Sequence, residues 1–136
     1  MSHLLDSSTA IDILRGRNQT VRFRFAEASR RRTALFVSSV VVFELRYGAE
    51  RSANRVKSAA LLNGFLSGPL RALPFDHDDA DEAGRLRAAL AGAGTPIGPY
   101  DLLIAAQASR RGWTVVTGNV AEFRRVPGLA VEDWSA

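Results

Sequence analysis

A chain of 136 residues, 46% hydrophobic and 24% charged, has the composition of an ordinary globular domain and is long enough to bury a core without staples. It contains no cysteine, which excludes disulfides, thiolate metal sites and cysteine nucleophiles and fits a reducing compartment. The formal charge is +4 and all but one of the 18 basic residues are arginine, whose planar fork suits phosphate, although composition alone favours a solvated surface over a nucleic-acid face.

His3-Leu4-Leu5-Asp6 is a short apolar run ending in an acid and predicts a first strand. Ser7-Ser8-Thr9 are capping hydroxyls ahead of an apolar-periodic helix from Ala10, which Gly16 stops. Asp6 therefore stands at the C-terminal end of a strand, where parallel α/β sheets bind ligands, although a lone acid there serves equally as a turn cap. A second helix is expected from Thr20 to about Arg30, followed by Arg30-Arg31-Arg32 as a surface cluster with no aromatic platform beside it. Leu35-Phe36-Val37-Ser38 predicts a second strand, and Ser39 opens a helix through Ala49 with Gly48 near its end. The run Val40-Val41-Val42-Phe43 within it is far too short to span a bilayer. No basic segment followed by an apolar one marks a signal peptide at the N-terminus, so the expected location is the cytoplasm. Glu44 is embedded in this apolar helix. A carboxylate in such a setting needs a partner, either Arg46 or another arginine, or a metal ion, and the arginine pairing is the first expectation.

Ser52 to Leu66 reads as a further amphipathic helix ending at Ser67-Gly68-Pro69, and Leu70–Pro74 as a short edge strand. The acids from Asp76 to Glu82 open the next helix. They lack the glycine and closing glutamate of a calcium loop, so complementation of the helix dipole is the reading. His77 has only His3 as a fellow histidine, which argues against a histidine zinc site. The loop Gly92–Gly98 follows a helix rather than a strand and has no lysine, which excludes a P-loop. Pro99-Tyr100-Asp101 then starts a strongly apolar helix that runs to Gly112, with Asp101 in its first turn. Trp113–Thr117 predicts a β-branched strand, Gly118–Phe123 one short helical turn carrying Asn119 and Glu122, and Ala130–Trp134 a short closing strand.

Strands alternate with helices, so an α/β fold with a parallel sheet is expected. Right-handed crossovers gather the C-terminal strand ends, and the first turns of the helices after them, on one sheet edge. That edge collects Asp6, Asp101 and the Asn119–Glu122 exit. Glu44 lies one turn further in, and its side chain tilts back toward the same edge. Like charges so close repel unless one protonates or a hard divalent cation intervenes. Such an ion can activate water at a phosphodiester.

Four stretches in register carry a family resemblance across nearly the whole chain. They are Leu4-Leu5-Asp6-Ser7-Ser8 with Ile11-Asp12; Ser38-Ser39 with Glu44-Leu45-Arg46-Tyr47-Gly48-Ala49-Glu50-Arg51-Ser52; Gly94 through Asp101; and Val115 through Leu129 with Glu132-Asp133-Trp134. The chain resembles the PIN-domain endoribonuclease toxins of the VapC type. The resemblance implies one PIN domain over 1–136, with a central parallel β-sheet of four to five strands flanked by helices. It implies a Mg²⁺-dependent endoribonuclease, with Mn²⁺ as a substitute, that cuts tRNA or another structured RNA and so inhibits translation and growth. It also implies a homodimer and a VapB-type antitoxin that blocks the acidic pocket and alone contacts operator DNA. Carried over residue by residue, Asp6, Glu44 and Asp101 are the metal ligands, Asn119 and Glu122 supply the remaining contacts, and Ser8 helps to hold the first acid or its water. Three departures stand out: Ser7-Ser8 where Thr-Asn or Thr-Ser is common, Gly118 beside Asn119, and Ala89 where some relatives carry Glu. The second leaves the last acidic role open between Asn119 and Glu122. A receiver domain is a poor alternative, because it needs a late lysine and Lys57 is the single lysine. A catalytically silent PIN-like interaction or RNA-binding module is the other.

Overall fold

Ser2–Leu5 forms β1, the middle strand of the sheet, in a computed structural model that describes residues 2–136. Leu4 and Leu5 have no exposed surface, as expected for a parallel strand covered by helices on both faces. After β1 come α1 (Ser7–Arg15), α2 (Gln19–Arg30), β2 (Ala34–Ser38), α3 (Ser39–Arg51), α4 (Arg55–Leu66), β3 (Arg71–Leu73), α5 (His77–Gly92), α6 (Pro99–Arg111), β4 (Thr114–Val116), α7 (Val120–Phe123) and β5 (Ala130–Glu132). The sheet is parallel throughout in the order β3-β2-β1-β4-β5. Leu5 pairs with Val37 on one side and Val116 on the other, and Val116 pairs in turn with Glu132. The direction in which strands are added reverses at β1, so the crevice between the C-terminal ends of β1 and β4 is a topological switch point.

The α/β class, the parallel sheet and the edge position of β3 match the reading from sequence; several element ends differ for local reasons. The α1 helix starts at Ser7, three residues before the expected Ala10, because Asp6 itself is the N-cap and its carboxylate accepts the Thr9 N–H. The α3 helix runs to Arg51, two residues past the expected Ala49, and ends where Ser52 takes an extended conformation. The α4 helix begins at Arg55 rather than Ser52, because the Asn54 side chain caps it by accepting the Lys57 N–H. The β5 strand stops at Glu132, and Trp134 beyond it packs into the core at 4% exposure.

The acidic opening of α5 needs a correction. Asp76 and Asp79 form a reciprocal capping box, as their spacing permits, but Asp79 is more than a dipole charge. It is fully buried and accepts hydrogen bonds from Arg110 and Arg111 at the end of α6. Burial alone would raise its pKa, yet the Arg111 bond, the cap N–H, Gln107 and Arg110 together hold the carboxyl well below the usual range.

Candidate metal centre at the sheet edge

Asp6 follows the last residue of β1, and its backbone N–H extends the ladder to the Val116 carbonyl at 3.0 Å. Its side chain is 1% exposed and accepts three hydrogen bonds. One oxygen accepts the Ser8 hydroxyl at 2.8 Å and the Thr9 N–H at 3.0 Å. The other accepts the Thr117 hydroxyl at 2.5 Å. Burial raises the pKa of Asp6 and these hydrogen bonds oppose the rise.

Glu44 sits in the second turn of α3. The expected partnership with an arginine is absent among the described residues: Arg46 donates instead to the Asn63 side chain at 2.9 Å. One Glu44 carboxylate oxygen is buried with no hydrogen-bond partner among the described residues. Arg46 points to α4 because residues two apart on a helix do not face one another. Burial, followed by the Asp6 charge, pushes the Glu44 carboxyl up.

Asp101 stands in the first turn of α6, as Pro99 at the helix start predicts. No side chain caps this helix; Gly98 precedes it and its N–H is taken by Glu122 at 2.5 Å, across a separation of 24 residues. A methyl group at Gly98 would lie 3.3 Å from the Glu122 carboxylate and 3.6 Å from that of Asp101, so the absence of a side chain lets the two acids meet there. Burial first, then the charge and hydrogen bond of Glu122, then Asp6 and Glu44, push Asp101 up to about 7. Asn119 donates from its side chain to Glu122 at 3.4 Å, and its backbone N–H donates to the Thr117 hydroxyl oxygen at 2.8 Å.

The fold therefore draws Asp6, Glu44, Asp101 and Glu122 into one mutually repelling group, with Ser8 on Asp6 and Asn119 on Glu122. Among the described residues no arginine, lysine or histidine forms an ion pair with any of the four. Nor do any three or more acidic or histidine side chains close into a ready-made metal cage. Like charges with no cation between them keep apart, so an open arrangement is the physical expectation. The donor set suits a hard divalent cation: every candidate ligand is a carboxylate oxygen, one of them is a buried orphan, and the shared repulsion is what such an ion relieves. The reading from sequence missed Thr117. Its signal was a hydroxyl residue at a strand exit, directly before Gly118-Asn119.

This electrostatic state makes a prediction. Asp101 binds its proton more tightly in the folded chain, about 7 against the ordinary 3.8, so the folded state holds the extra proton between those values. Stability of the metal-free protein then falls as pH rises from about 4 to about 7 and levels off above. Thermal unfolding across that range checks this, and Mg²⁺ should raise the melting temperature more at pH 8 than at pH 5.

The family model described as the PIN domain matches residues 3–129, and the chain belongs to this family, within it to the VapC group. It is 40% identical over 134 residues to the tRNA(fMet)-specific endonuclease VapC of Salmonella typhimurium, covering 98% of each chain. It is 34% identical to Ribonuclease VapC2 of Haemophilus influenzae, again over 98% of each. Among solved structures, a chain of the DNA-bound VapBC complex of Salmonella typhimurium superposes with a TM-score of 0.89 at 40% identity, covering 98% of each chain. A chain of the Rickettsia felis VapBC2 complex bound to a promoter DNA fragment gives 0.90 at 30% identity, covering 98% of this chain and 99% of that one.

Proposed function

We propose that the chain, acting as one PIN domain over 1–136, is a metal-dependent endoribonuclease toxin that cleaves tRNA, with initiator tRNA as the first candidate. Mg²⁺ is the working ion and Mn²⁺ its substitute. The observation that carries this reading is the group Asp6, Glu44, Asp101 and Glu122 at the switch point of the sheet, with no cationic side chain among the described residues to neutralise it. The tRNA substrate is supported by relatives at 40% and 38% identity that are tRNA(fMet)-specific endonucleases.

In this reading Asp6, Glu44 and Asp101 hold the cation. When bound, it offsets the carboxylate charge and stabilises negative charge developing on a phosphodiester. Asp6 is locked by Ser8, Thr9 and Thr117, so it offers a fixed oxygen. Glu44 supplies its unpaired oxygen. Glu122, held by Gly98 and Asn119, faces Asp101, and its charge helps to push the Asp101 carboxyl up to about 7. These contacts favour Glu122 for the acidic role and Asn119 for a supporting one.

The partner is a VapB-type antitoxin, which alone contacts operator DNA. An apolar groove lined by Ile11, Leu14, Leu45, Leu61 and Leu62, with Glu44 also in its wall, suits an amphipathic antitoxin segment. Solved relatives in VapBC complexes support this pairing. A homodimer is supported by Phe43, Tyr47 and Tyr100, large side chains that are 54%, 56% and 45% exposed on α3 and α6, with Phe43 and Tyr100 in edge contact at 5.8 Å. No helix among the described residues is long and apolar enough to cross a membrane, and we assign the chain to the cytoplasm.

Induced expression of the chain should arrest growth, with cut tRNA accumulating, and co-expression of the small protein encoded beside it should restore growth. Growth arrest with intact tRNA would refute the substrate. Arrest that the neighbour does not relieve would refute the pairing. Phe43→Glu should convert the dimer to a monomer in sedimentation velocity; an unchanged sedimentation coefficient would remove this face from the interface.

A further inference from the structure

We propose that Thr117 is a positioning residue that fixes the Asp6 carboxylate for metal binding, and that the C-terminal strand β5 holds Thr117 in place from behind. The inference rests on the metal-site reading above.

Thr117 has no exposed surface, so it touches neither solvent nor substrate and acts only through its neighbours. Its hydroxyl has one hydrogen, given to Asp6 at 2.5 Å, and its oxygen accepts the Asn119 N–H at 2.8 Å. Its own N–H donates to the Glu132 carbonyl at 2.9 Å, the last rung between β4 and β5. Glu132 is in turn anchored through its side chain, which accepts from Trp134 at 3.1 Å and meets His3 at 3.1 Å. A continuous path thus runs from the C-terminal segment through one backbone bond and one hydroxyl to the first acid of the site.

A count of acceptor positions says why this hydroxyl matters. Each carboxylate oxygen offers two lone-pair positions. The Asp6 oxygen facing Ser8 and Thr9 has both filled. Among the described residues the other accepts one hydrogen bond, from Thr117, which leaves one position open. Asp6 therefore meets a cation through that single oxygen, and Thr117 sets its direction. Without the hydroxyl only the Ser8 and Thr9 bonds to the opposite oxygen restrain the carboxylate, and no donor sets the direction of the oxygen that keeps the open position. Partners of this kind behind a metal ligand are worth roughly ten- to hundred-fold in metal affinity.

The test uses Mn²⁺ alone as probe, titrated into the full chain and followed by electron paramagnetic resonance of the free ion. Thr117→Val keeps the shape and removes the hydroxyl; Thr117→Ala is a second hydroxyl-free variant should the first not fold; Thr117→Ser restores the hydroxyl. Far-ultraviolet circular dichroism and thermal unfolding establish folding in each. The folded hydroxyl-free variant should bind Mn²⁺ at least about ten-fold more weakly than wild type, and Thr117→Ser should recover to within about three-fold. Wild-type affinity in the folded hydroxyl-free variant, beside lost binding in Asp6→Asn, would overturn this inference and leave the metal site standing. A Thr117→Ser variant as weak as Thr117→Val would overturn it too, by assigning the loss to packing. A wild-type chain that binds no Mn²⁺ would overturn the metal-site reading and this inference with it.

Discussion

Asp101→Asn should lower RNA cleavage by about a thousand-fold and, in the absence of metal, raise the melting temperature. The two effects have one cause. Asp101 is pushed up to about 7 by burial and by Glu122, Asp6 and Glu44, so its ionised form is costly in the fold until a cation offsets it. Asparagine removes the charge at nearly constant shape. It also forfeits the favourable interaction of an acid with the first turn of α6, worth about 0.3–1 kcal/mol. The upward pKa decides which effect wins, because a dominant dipole would have moved it down. At pH 5 the wild-type group is protonated, so the stability gain should appear at pH 8 and shrink toward pH 5. The loss of activity follows from removing one candidate ligand of an ion whose Lewis acidity contributes several kcal/mol, roughly three factors of ten in rate. Cleavage assays paired with calorimetric melting at both pH values measure both sides. Full retained activity would remove Asp101 from the site.

Asp79→Ala should have the largest effect on stability, about 3 kcal/mol, or roughly a 10 °C fall in melting temperature, with cleavage at low temperature unchanged. The Asp79 carboxylate collects Arg111 at 2.8 Å, Arg110 at 3.0 Å, the Asp76 N–H at 3.1 Å and Gln107 at 3.2 Å. Truncation leaves those donors facing an empty acceptor, undoes the α5 capping box and unties α5 from α6. The figure lies at the low end for a broken buried pair because both arginines reach solvent and recover hydration. The arginines lie at the C-terminal end of α6, about 14 Å along the helix from Asp101, so the catalytic edge is spared. Because the folded Asp79 pKa is depressed, its contribution is present above about pH 4 and lost as pH falls below, the opposite slope to that of Asp101. Chemical denaturation of the variant at pH 7 gives the free energy directly.

The reach of sequence reasoning follows from the range of the interactions involved. The strands were legible because Leu4-Leu5, Leu35–Val37 and Val115-Val116 are unbroken apolar runs, and parallel strands covered on both faces need such runs. Asp6 and Asp101 were legible because strand ends and helix starts have fixed places in a parallel α/β sheet. Asp79 was not: within Asp76–Glu82 all the acids look alike, and only Arg110 and Arg111, some thirty residues later, single it out. The freedom of Glu44 was hidden for the same reason, since Arg46 is close in sequence but turns to Asn63. The Gly98–Glu122 and Asp6–Thr117 bonds join residues 24 and 111 positions apart, which no local pattern encodes.

In the proposed function Asp6, Glu44 and Asp101 hold the cation on which RNA cleavage depends. The most direct test of this is cleavage of end-labelled initiator tRNA by the wild type and by Glu44→Gln across a Mg²⁺ titration that begins in chelator. The expected result is no cleavage in chelator, wild-type cleavage that saturates with Mg²⁺, and a variant needing at least about ten-fold more Mg²⁺ for half its maximal rate. Cleavage that persists in chelator, or the same Mg²⁺ dependence in both proteins, would contradict it.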